Sequence, residues 1–412
     1  MTRDDIIGGA AKDGGAMRIA MIGPFGLAPK GTMRVRALPL ARELAARGHA
    51  VRVIMPPWHT PQEPARIWEE AGVSLQYIPL GPRIPLLSYA VIALRLVRAA
   101  LAWQPDAIHC FKPKAYSGLA GWIIWHLQRL GAYRGRLVID EDDWEGPGGW
   151  NDLEPYPWWL QAAFAWQERW GLRHCDALTV ASRALQSLTW SLGVSPDRVH
   201  YMPNGAHLLP QGEGERIRQQ YGLGAHPVVL LYTRFFEYDV ARAVHVFQRV
   251  REQVPAARLL VVGKALFEAD DARFDQLVRD AHLEQAVVRA GWVPMSELPA
   301  NFAAADVAIY PFDDTLVNRT KCAVKLVDLL AAGMPVVADA VGQNAEYIVH
   351  RETGLLVPSG DSEAMAQAVA QLLEDADLRA ALGNAARQRM AREFTWDRLA
   401  EVAIDAYVKA SA

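Results

Sequence analysis

Residues 310–338 read YPFDDTLVNRTKCAVKLVDLLAAGMPVVA. An apolar strand closes at Pro311, and an irregular polar loop follows. The spacing predicts a helix that starts near Arg319–Cys322 and runs to Gly333, with a new apolar strand from Pro335. A helix start carries free backbone N–H groups and the positive end of the dipole. Arg319, Lys321 and Lys325 add three cations there, so the place suits a diphosphate. Lys325 and Asp328 are three residues apart and share a helix face. A cation for phosphate beside an acid for ribose hydroxyls would hold a sugar nucleotide, and a solvated ion pair explains the same spacing equally well.

The strand–loop–helix rhythm extends outward in both directions. Toward the amino end the predicted strands are Arg18–Ile22, Val51–Met55, Val73–Ile78, Ala107–Phe111, Leu137–Asp140, Ala177–Val180 and Val199–Met202. After Asn204-Gly205 they are Val228–Tyr232, Leu259–Val262, Val287–Ala290, Val307–Tyr310, Val336–Ala338 and Leu355–Val357. Near-continuous apolar runs between helical segments are the mark of parallel strands covered on both faces. The chain has 412 residues, which favours two domains over one core. The division expected is a leader over 1–16, a domain over 17–205, a linker over 206–215, a second domain over 216–392, and a helix over 393–412 that packs back on the first domain. Ligands of such sheets bind at the carboxyl ends of strands, so a cleft between the domains is the expected site.

Composition narrows the function. Apolar residues make up 51 % and charged residues 22 %, with a net charge of −3, which gives no bulk attraction to nucleic acid. The three cysteines, Cys110, Cys175 and Cys322, have no pair spacing, which speaks for a reducing compartment and against a structural zinc site. No run reaches the length of a membrane span. The first half is nonetheless unusual: twelve of the fourteen tryptophans precede residue 206, and Leu137–Glu154 holds seven acids and no base.

The segment KLVDLLAAGMPVVADAVGQNAEYI, followed by ETGLLVPSGD, resembles the donor-site region of the family-4 retaining glycosyltransferases. MRIAMIGPFGLAPKGTMRVRALPLARELAARGHAVRVI is similar to that family's opening strand, glycine loop and helix. VHYMPNGAH, GWVPMSELPANFAAADVAIYPF and FTWDRLAEVAIDAY fall in the same order as later blocks of the family. The fold this implies is GT-B, an α/β class with two Rossmann-like doubly wound domains facing an interdomain cleft. The resemblance assigns the donor diphosphate to Arg234 and the ribose to Asp328; Lys325 is the candidate for the second charge on the diphosphate, with Lys321 or Arg319 assisting. The resemblance also assigns base reading to the backbone at Val293, the donor sugar to Gly342, Gln343, Asn344 and Glu346, and the glycine loop at Gly31 to the diphosphate and acceptor. Three positions depart from the pattern. Thr320 stands where the first glutamate of the Glu–seven-residues–Glu motif belongs, Asp239 where a lysine is expected, and His207 where an aspartate is usual.

The acceptor side departs further. Asp140-Glu141-Asp142-Asp143-Trp144-Glu145 ends a strand where the family carries a histidine. Crowded carboxylates repel, which raises some of their pKa values unless cations or hydroxyls meet them. Asp140, Asp142, Asp143, Trp144, Glu145 and Lys112 are therefore the candidates for orienting an acceptor hydroxyl. An acidic loop paired with the basic segment before it is the plainer reading. A divalent ion has no dedicated loop here, so no metal is assigned. His109 sits between apolar neighbours and reads as a hydrogen-bonded core histidine. Trp158, Trp159, Trp166 and Trp170, with the apolar helix over Leu86–Leu101 bearing Arg95 and Arg98, read either as core or as a basic aromatic face for an anionic membrane surface.

The expected activity is retaining transfer of a hexose from a UDP- or GDP-linked donor to a hydroxyl acceptor, with a lipid or lipid-linked sugar as the candidate acceptor. The donor sugar nucleotide serves as substrate, and no other cofactor is called for. The expected location is cytoplasmic, with the inner face of the plasma membrane as a peripheral site. A sugar-nucleotide epimerase, a phosphorylase, or a non-catalytic sugar-nucleotide-binding protein of the same fold are the alternatives.

Overall fold

The computed structural model describes residues 15–28, 31–63, 65–82, 84, 86–207 and 212–408. The chain divides into two compact units. The first comprises the residues up to Ala181, Leu185–Met202 and the chain from Leu399 onward; the second comprises Ser182–Ala184 and Pro203–Arg398. The expected leader falls outside the described residues except for positions 15 and 16. The expected linker lies outside them at 208–211, and its described residues belong to the second unit, where the helix Gly214–Gln220 already begins.

The first unit is built on β1 (Arg18–Ile22), β2 (Ala50–Met55), β3 (Arg66–Glu70), β4 (Val73–Tyr77), β5 (Ala107–Phe111), β6 (Arg136–Glu141), β7 (Ala177–Val180) and β8 (Val199–Tyr201). They form one sheet in the order β3-β4-β2-β1-β5-β6-β7-β8. All neighbours are parallel except β3, which runs antiparallel to β4. β3 was not expected from the sequence. It is a half-exposed edge strand, RIWEE, joined to β4 by a two-residue turn at Ala71-Gly72, both with positive φ.

The first helix departs from a regular one. Met33–Ala37 forms a π-helical turn that runs directly into α-helix over Leu38–Ala46, and Pro39, which has no N–H to give to the preceding turn, sits just past the junction. The wider turn holds Arg36 inward, so that its side chain is 1 % exposed.

The second unit carries β9 (Val228–Tyr232), β10 (Arg258–Val262), β11 (Val287–Gly291), β12 (Val307–Tyr310), β13 (Val336–Asp339) and β14 (Leu355–Val357). Their order is β11-β10-β9-β12-β13-β14, all parallel. Successive strand residues alternate between two apolar clusters. Leu230, Leu260, Ala308 and Val336 pack on one face, and Val229, Val261, Ile309 and Val337 on the other. Each unit is thus a doubly wound α/β sheet. The order reverses at β9/β12 in the second unit, which makes the loops after those two strands its natural binding place.

Candidate active site

The loop after β9 carries Arg234 and Glu237, and the loop after β12 leads to Lys321, Lys325 and Asp328. Two short helices replace the single one expected: Leu316–Thr320, then Val324–Ala331, with a break at Lys321–Ala323. The break has a distant cause. The Gln343 side-chain oxygen accepts from the Ala323 backbone N–H at 2.8 Å and so satisfies a donor at the second helix start. Gln343, expected to face the donor sugar, is buried in this capping role.

Three cations converge on one acid. Lys321 Nζ donates to Glu237 Oε1 at 2.6 Å, and Arg234 Nε donates to the same oxygen at 3.2 Å. Burial alone would raise the Glu237 pKa, but Lys321, Lys325 and Arg234 together outweigh it and hold the carboxyl well below its usual range. Lys325 makes no ion pair within 4.0 Å among the described residues, and lies 5.5 Å from the centre of the Tyr232 ring. Burial, with Arg234 and Lys321 nearby, lowers it to about 8 despite Glu237 and Asp328. Asp328 is pushed up to about 7 by burial, opposed by Lys325 and by a hydrogen bond with the Tyr232 hydroxyl.

The two loops are fastened together. Asn318 Nδ2 donates to the backbone oxygens of Glu237 (2.6 Å) and Asp313 (2.9 Å), and the Asp313 N–H donates to Glu237 O at 2.9 Å. The geometry therefore brings Arg234, Lys321, Lys325 and Asp328 together, with Glu237 and Tyr232 as two members the sequence reading missed. Only the i, i+3 spacing of Arg234 and Glu237 could have flagged the acid.

Arg319 is a correction. It ends the first short helix instead of starting a long one, and its exposed guanidinium pairs with Asp314 at 2.7 Å. Asp239, in place of the expected lysine, caps the helix Val240–Gln253 through the Ala241 N–H at 3.1 Å. Thr320 is wholly buried, and its hydroxyl donates to Leu316 O at 2.8 Å.

The loop after β13 is held tightly. Gly342 has a φ of +50°, and a Cβ there would meet Asn318 O at 2.7 Å, so no side chain fits. Asn344 is buried, and its Nδ2 donates to Asp339 O at 3.0 Å. Glu346 Oε1 accepts from the Arg183 N–H at 2.9 Å. Asn344 thus fastens its own loop through Nδ2, while its Oδ1 has no hydrogen-bond partner among the described residues. Val293 is half-buried against the second unit's core, beside exposed Trp292.

In the first unit, Gly31 is exposed and its carbonyl accepts from the Val35 N–H at 2.8 Å, opening the π turn. The acidic segment after β6 is mostly inward. Asp140, expected at the acceptor, is fully buried. It receives Arg36 Nε at 2.7 Å on one oxygen, and Arg36 Nη2 and Thr179 Oγ1, each at 2.6 Å, on the other. Arg36 also donates to Met202 O at 2.8 Å. The correction has a simple reason: a carboxylate wholly buried against its own arginine and threonine offers no face to a substrate. His109 continues the chain, with Nε2 3.0 Å from Thr179 Oγ1 and Nδ1 2.8 Å from the Tyr407 hydroxyl, and burial lowers it to about 4.

The next acids meet lysines. Lys112 Nζ lies 2.8 Å from Asp143, 3.2 Å from Asp142 and 3.6 Å from Glu145, while Lys114 Nζ lies 2.6 Å from Glu145. Burial alone would lower the Lys112 pKa, but the three carboxylates raise it well above its usual value. Asp142 is pushed up to about 6 by burial, and its Oδ2 accepts from Thr32 Oγ1 at 3.3 Å. Glu145 is buried and spent on its lysines. Trp144, expected to touch the acceptor, is buried with its Nε1–H donating to Pro147 O at 3.0 Å. Asp143, half-buried, is the most open acid of the run. Behind them, Glu168 is pushed up to about 8 by burial, and Glu141 well above its ordinary value by burial and by Glu168. Among the described residues, no three His, Cys, Asp or Glu side chains are gathered so as to hold a metal ion.

The aromatic stripe is largely outward. Trp158, Trp159 and Trp166 are exposed, as are Leu87 and Leu94 on the helix Leu87–Ala102. Arg95, however, is tied to Pro79 O and Leu80 O at 2.8 and 2.6 Å. Among the described residues no helix is long and apolar enough to cross a membrane.

Two family models match the chain. Residues 31–205 match the glycosyl transferase 4-like domain, and residues 213–389 match the glycosyl transferases group 1. The chain belongs to the GT-B glycosyltransferases. It is 31 % identical to a GDP-mannose-dependent α-(1-6)-phosphatidylinositol monomannoside mannosyltransferase of Mycobacterium tuberculosis, over 55 % of this glycosyltransferase and 60 % of that protein. The match thus spans less than two thirds of that relative's length. A D-inositol 3-phosphate glycosyltransferase of Stackebrandtia nassauensis is 29 % identical over 95 % of this chain and 91 % of its own. Among solved structures, the sucrose-phosphate synthase of Thermosynechococcus elongatus superposes with a TM-score of 0.72 at 22 % identity. That likeness covers 95 % of this glycosyltransferase and 98 % of the synthase.

Proposed function

We propose that this glycosyltransferase moves a hexose from a nucleoside diphosphate donor to a hydroxyl of a lipid-linked or glycolipid acceptor, with the anomeric configuration retained. The observation that carries the reading is the convergence of Arg234, Lys321 and Lys325 on Glu237 at the β9/β12 reversal. Glu237 neutralises only part of that charge, and Lys325 has no ion-pair partner among the described residues. A diphosphate supplies the missing anion, and Asp328 on the same helix face accepts ribose hydroxyls. As the donor breaks, charge grows on the leaving diphosphate, and cations fixed in place stabilise it without reorganising.

In a front-face retaining displacement the leaving phosphate takes the proton of the acceptor hydroxyl, so no separate protein base is required. Asp143, the most open acid of the 140–145 run, positions that hydroxyl, and the Lys112 contact orients it. GDP-mannose is favoured as donor by the name of the mannosyltransferase relative, and a membrane-borne acceptor by the exposed tryptophans of the first unit.

The test is turnover with a panel of GDP-, UDP- and ADP-sugars against lipid extracts and soluble sugars. Lys325→Ala is expected to lower transfer by about 10²-fold or more. Near-normal transfer by that variant would refute the donor site; nucleotide release without any acceptor would favour hydrolysis, and conversion of the donor sugar with no net nucleotide release would favour epimerisation.

A further inference from the structure

The helix Trp158–Arg173 is amphipathic in an unusual sense. One face, with Phe164, Gln167, Glu168 and Leu172, is buried. The other presents Trp158, Trp166, Arg169, Trp170 and Arg173, which recur at helical spacing and line a cavity of about 590 Å³. Its far wall is the loop Gly146–Asp152, the direct continuation of the acidic segment after β6. That loop is rigidly made. A Cβ on Gly149 would fall 2.2 Å from Trp144 O, and Gly148 N–H donates to Asp152 Oδ2 at 2.7 Å.

Asn151 lines this cavity and is 2 % exposed, yet neither its Oδ1 nor its Nδ2 has a hydrogen-bond partner. Its backbone oxygen accepts from Gln161 Nε2 at 3.0 Å, so it is the side-chain amide that is left unpaired among the described residues. A carboxamide offers two donors and an acceptor, and buried polar groups are nearly always paired. An amide held unpaired at a cavity wall therefore marks a ligand with adjacent donor and acceptor groups.

We infer that this cavity is a saccharide subsite, which holds a pyranose ring of the acceptor through Asn151 and the tryptophan face of the helix. The ligand class follows from the lining. Two neighbouring hydroxyls satisfy a carboxamide at once, one donating to Oδ1 and the next accepting from Nδ2–H. The C–H face of a pyranose lies against an indole, burying apolar area without stranding a polar atom. Arg169 and Arg173, four residues apart, offer further N–H donors to hydroxyl and ring oxygens. A flat membrane surface matches the exposed rings but leaves Asn151 unmet. The word acceptor rests on the transferase reading above, whereas the saccharide site itself does not.

Calorimetric titration of the full chain with mannose, glucose and galactose disaccharides tests this, with nucleoside diphosphate binding followed separately by thermal shift. Saturable binding of at least one disaccharide is expected. Asn151→Ala and Trp166→Ala should each weaken it about tenfold or more, with unfolding temperature and diphosphate binding unchanged. Trp166 is 50 % exposed, so its removal leaves the core intact. The subsite is refuted if no disaccharide binds, if both variants bind like the parent, or if only anionic phospholipid vesicles bind. Diphosphate binding with no saccharide binding would sink the subsite and spare the transferase. Asn151-dependent saccharide binding with no diphosphate binding would do the reverse.

Discussion

Lys325 should make nucleotide affinity fall with alkaline pH in a defined window. Its ammonium sits at about 8 in the free protein, against an ordinary 10.5, because burial and two neighbouring cations disfavour its charge. A bound diphosphate favours the charged form and returns the pKa toward or above its ordinary value. The sign follows. Below about pH 8 Lys325 is already charged and adds no pH dependence of its own; above it, binding must first take up a proton. At pH 9 roughly one free molecule in eleven carries the charge, so affinity should be about tenfold below its value at pH 7, falling about tenfold per further pH unit. Calorimetry of nucleoside diphosphate binding in buffers of different ionisation enthalpy reads the proton directly. Uptake should approach one proton near pH 9. Lys325→Met, measured in parallel, subtracts the nucleotide's own titration and should be weak but flat by comparison. No proton uptake, or parent and variant with parallel pH profiles, would refute the argument.

Two further outcomes concern stability. Arg36→Met strands Asp140 in the interior and should cost about 3–5 kcal/mol by chemical unfolding, while Arg36→Met with Asp140→Leu should recover most of that loss; an additive double variant would contradict the pairing. Glu168, raised to about 8, binds a proton more tightly folded than unfolded, so its contribution to stability declines as pH climbs from about 4.5 to 8. Glu168→Gln should remove that slope and, at pH 8, raise stability by at least about 1 kcal/mol, or about 2–4 °C in melting temperature. An unchanged slope in thermal melts between pH 5 and 8 would exclude this account.

The parts of the molecule that were legible in the sequence are those whose cause is local. Runs such as Leu259–Val262 are apolar at every position because both faces of the strand are covered, and that pattern needs no partner to be read. β3 escaped because an exposed edge strand mixes Arg66, Glu69 and Glu70 with its apolar residues and carries no such run. The helix break at Lys321–Ala323 escaped for a different reason. No glycine or proline marks it, and the amide that caps the second helix comes from Gln343, twenty residues on. The cations Arg234, Lys321 and Lys325, which the structure brings together, were singled out by resemblance and spacing. Glu237, which organises them, was not, since its role exists only once two loops meet. The acidic segment misled for the same reason. Asp140 reads as a substrate contact until Arg36, 104 residues away, is brought beside it.

Tyr407 closes a row of hydrogen bonds through His109, Thr179 and Asp140 to Arg36. It lies 298 residues beyond its histidine partner. On the ribosome, His109 Nδ1 therefore has no Tyr407 partner until translation has passed residue 407, although Thr179 is made long before. The first unit thus draws its sheet from residues 18–201 and one of its buried partners from a segment made after the second unit, so its last contacts form only after that unit has been synthesised.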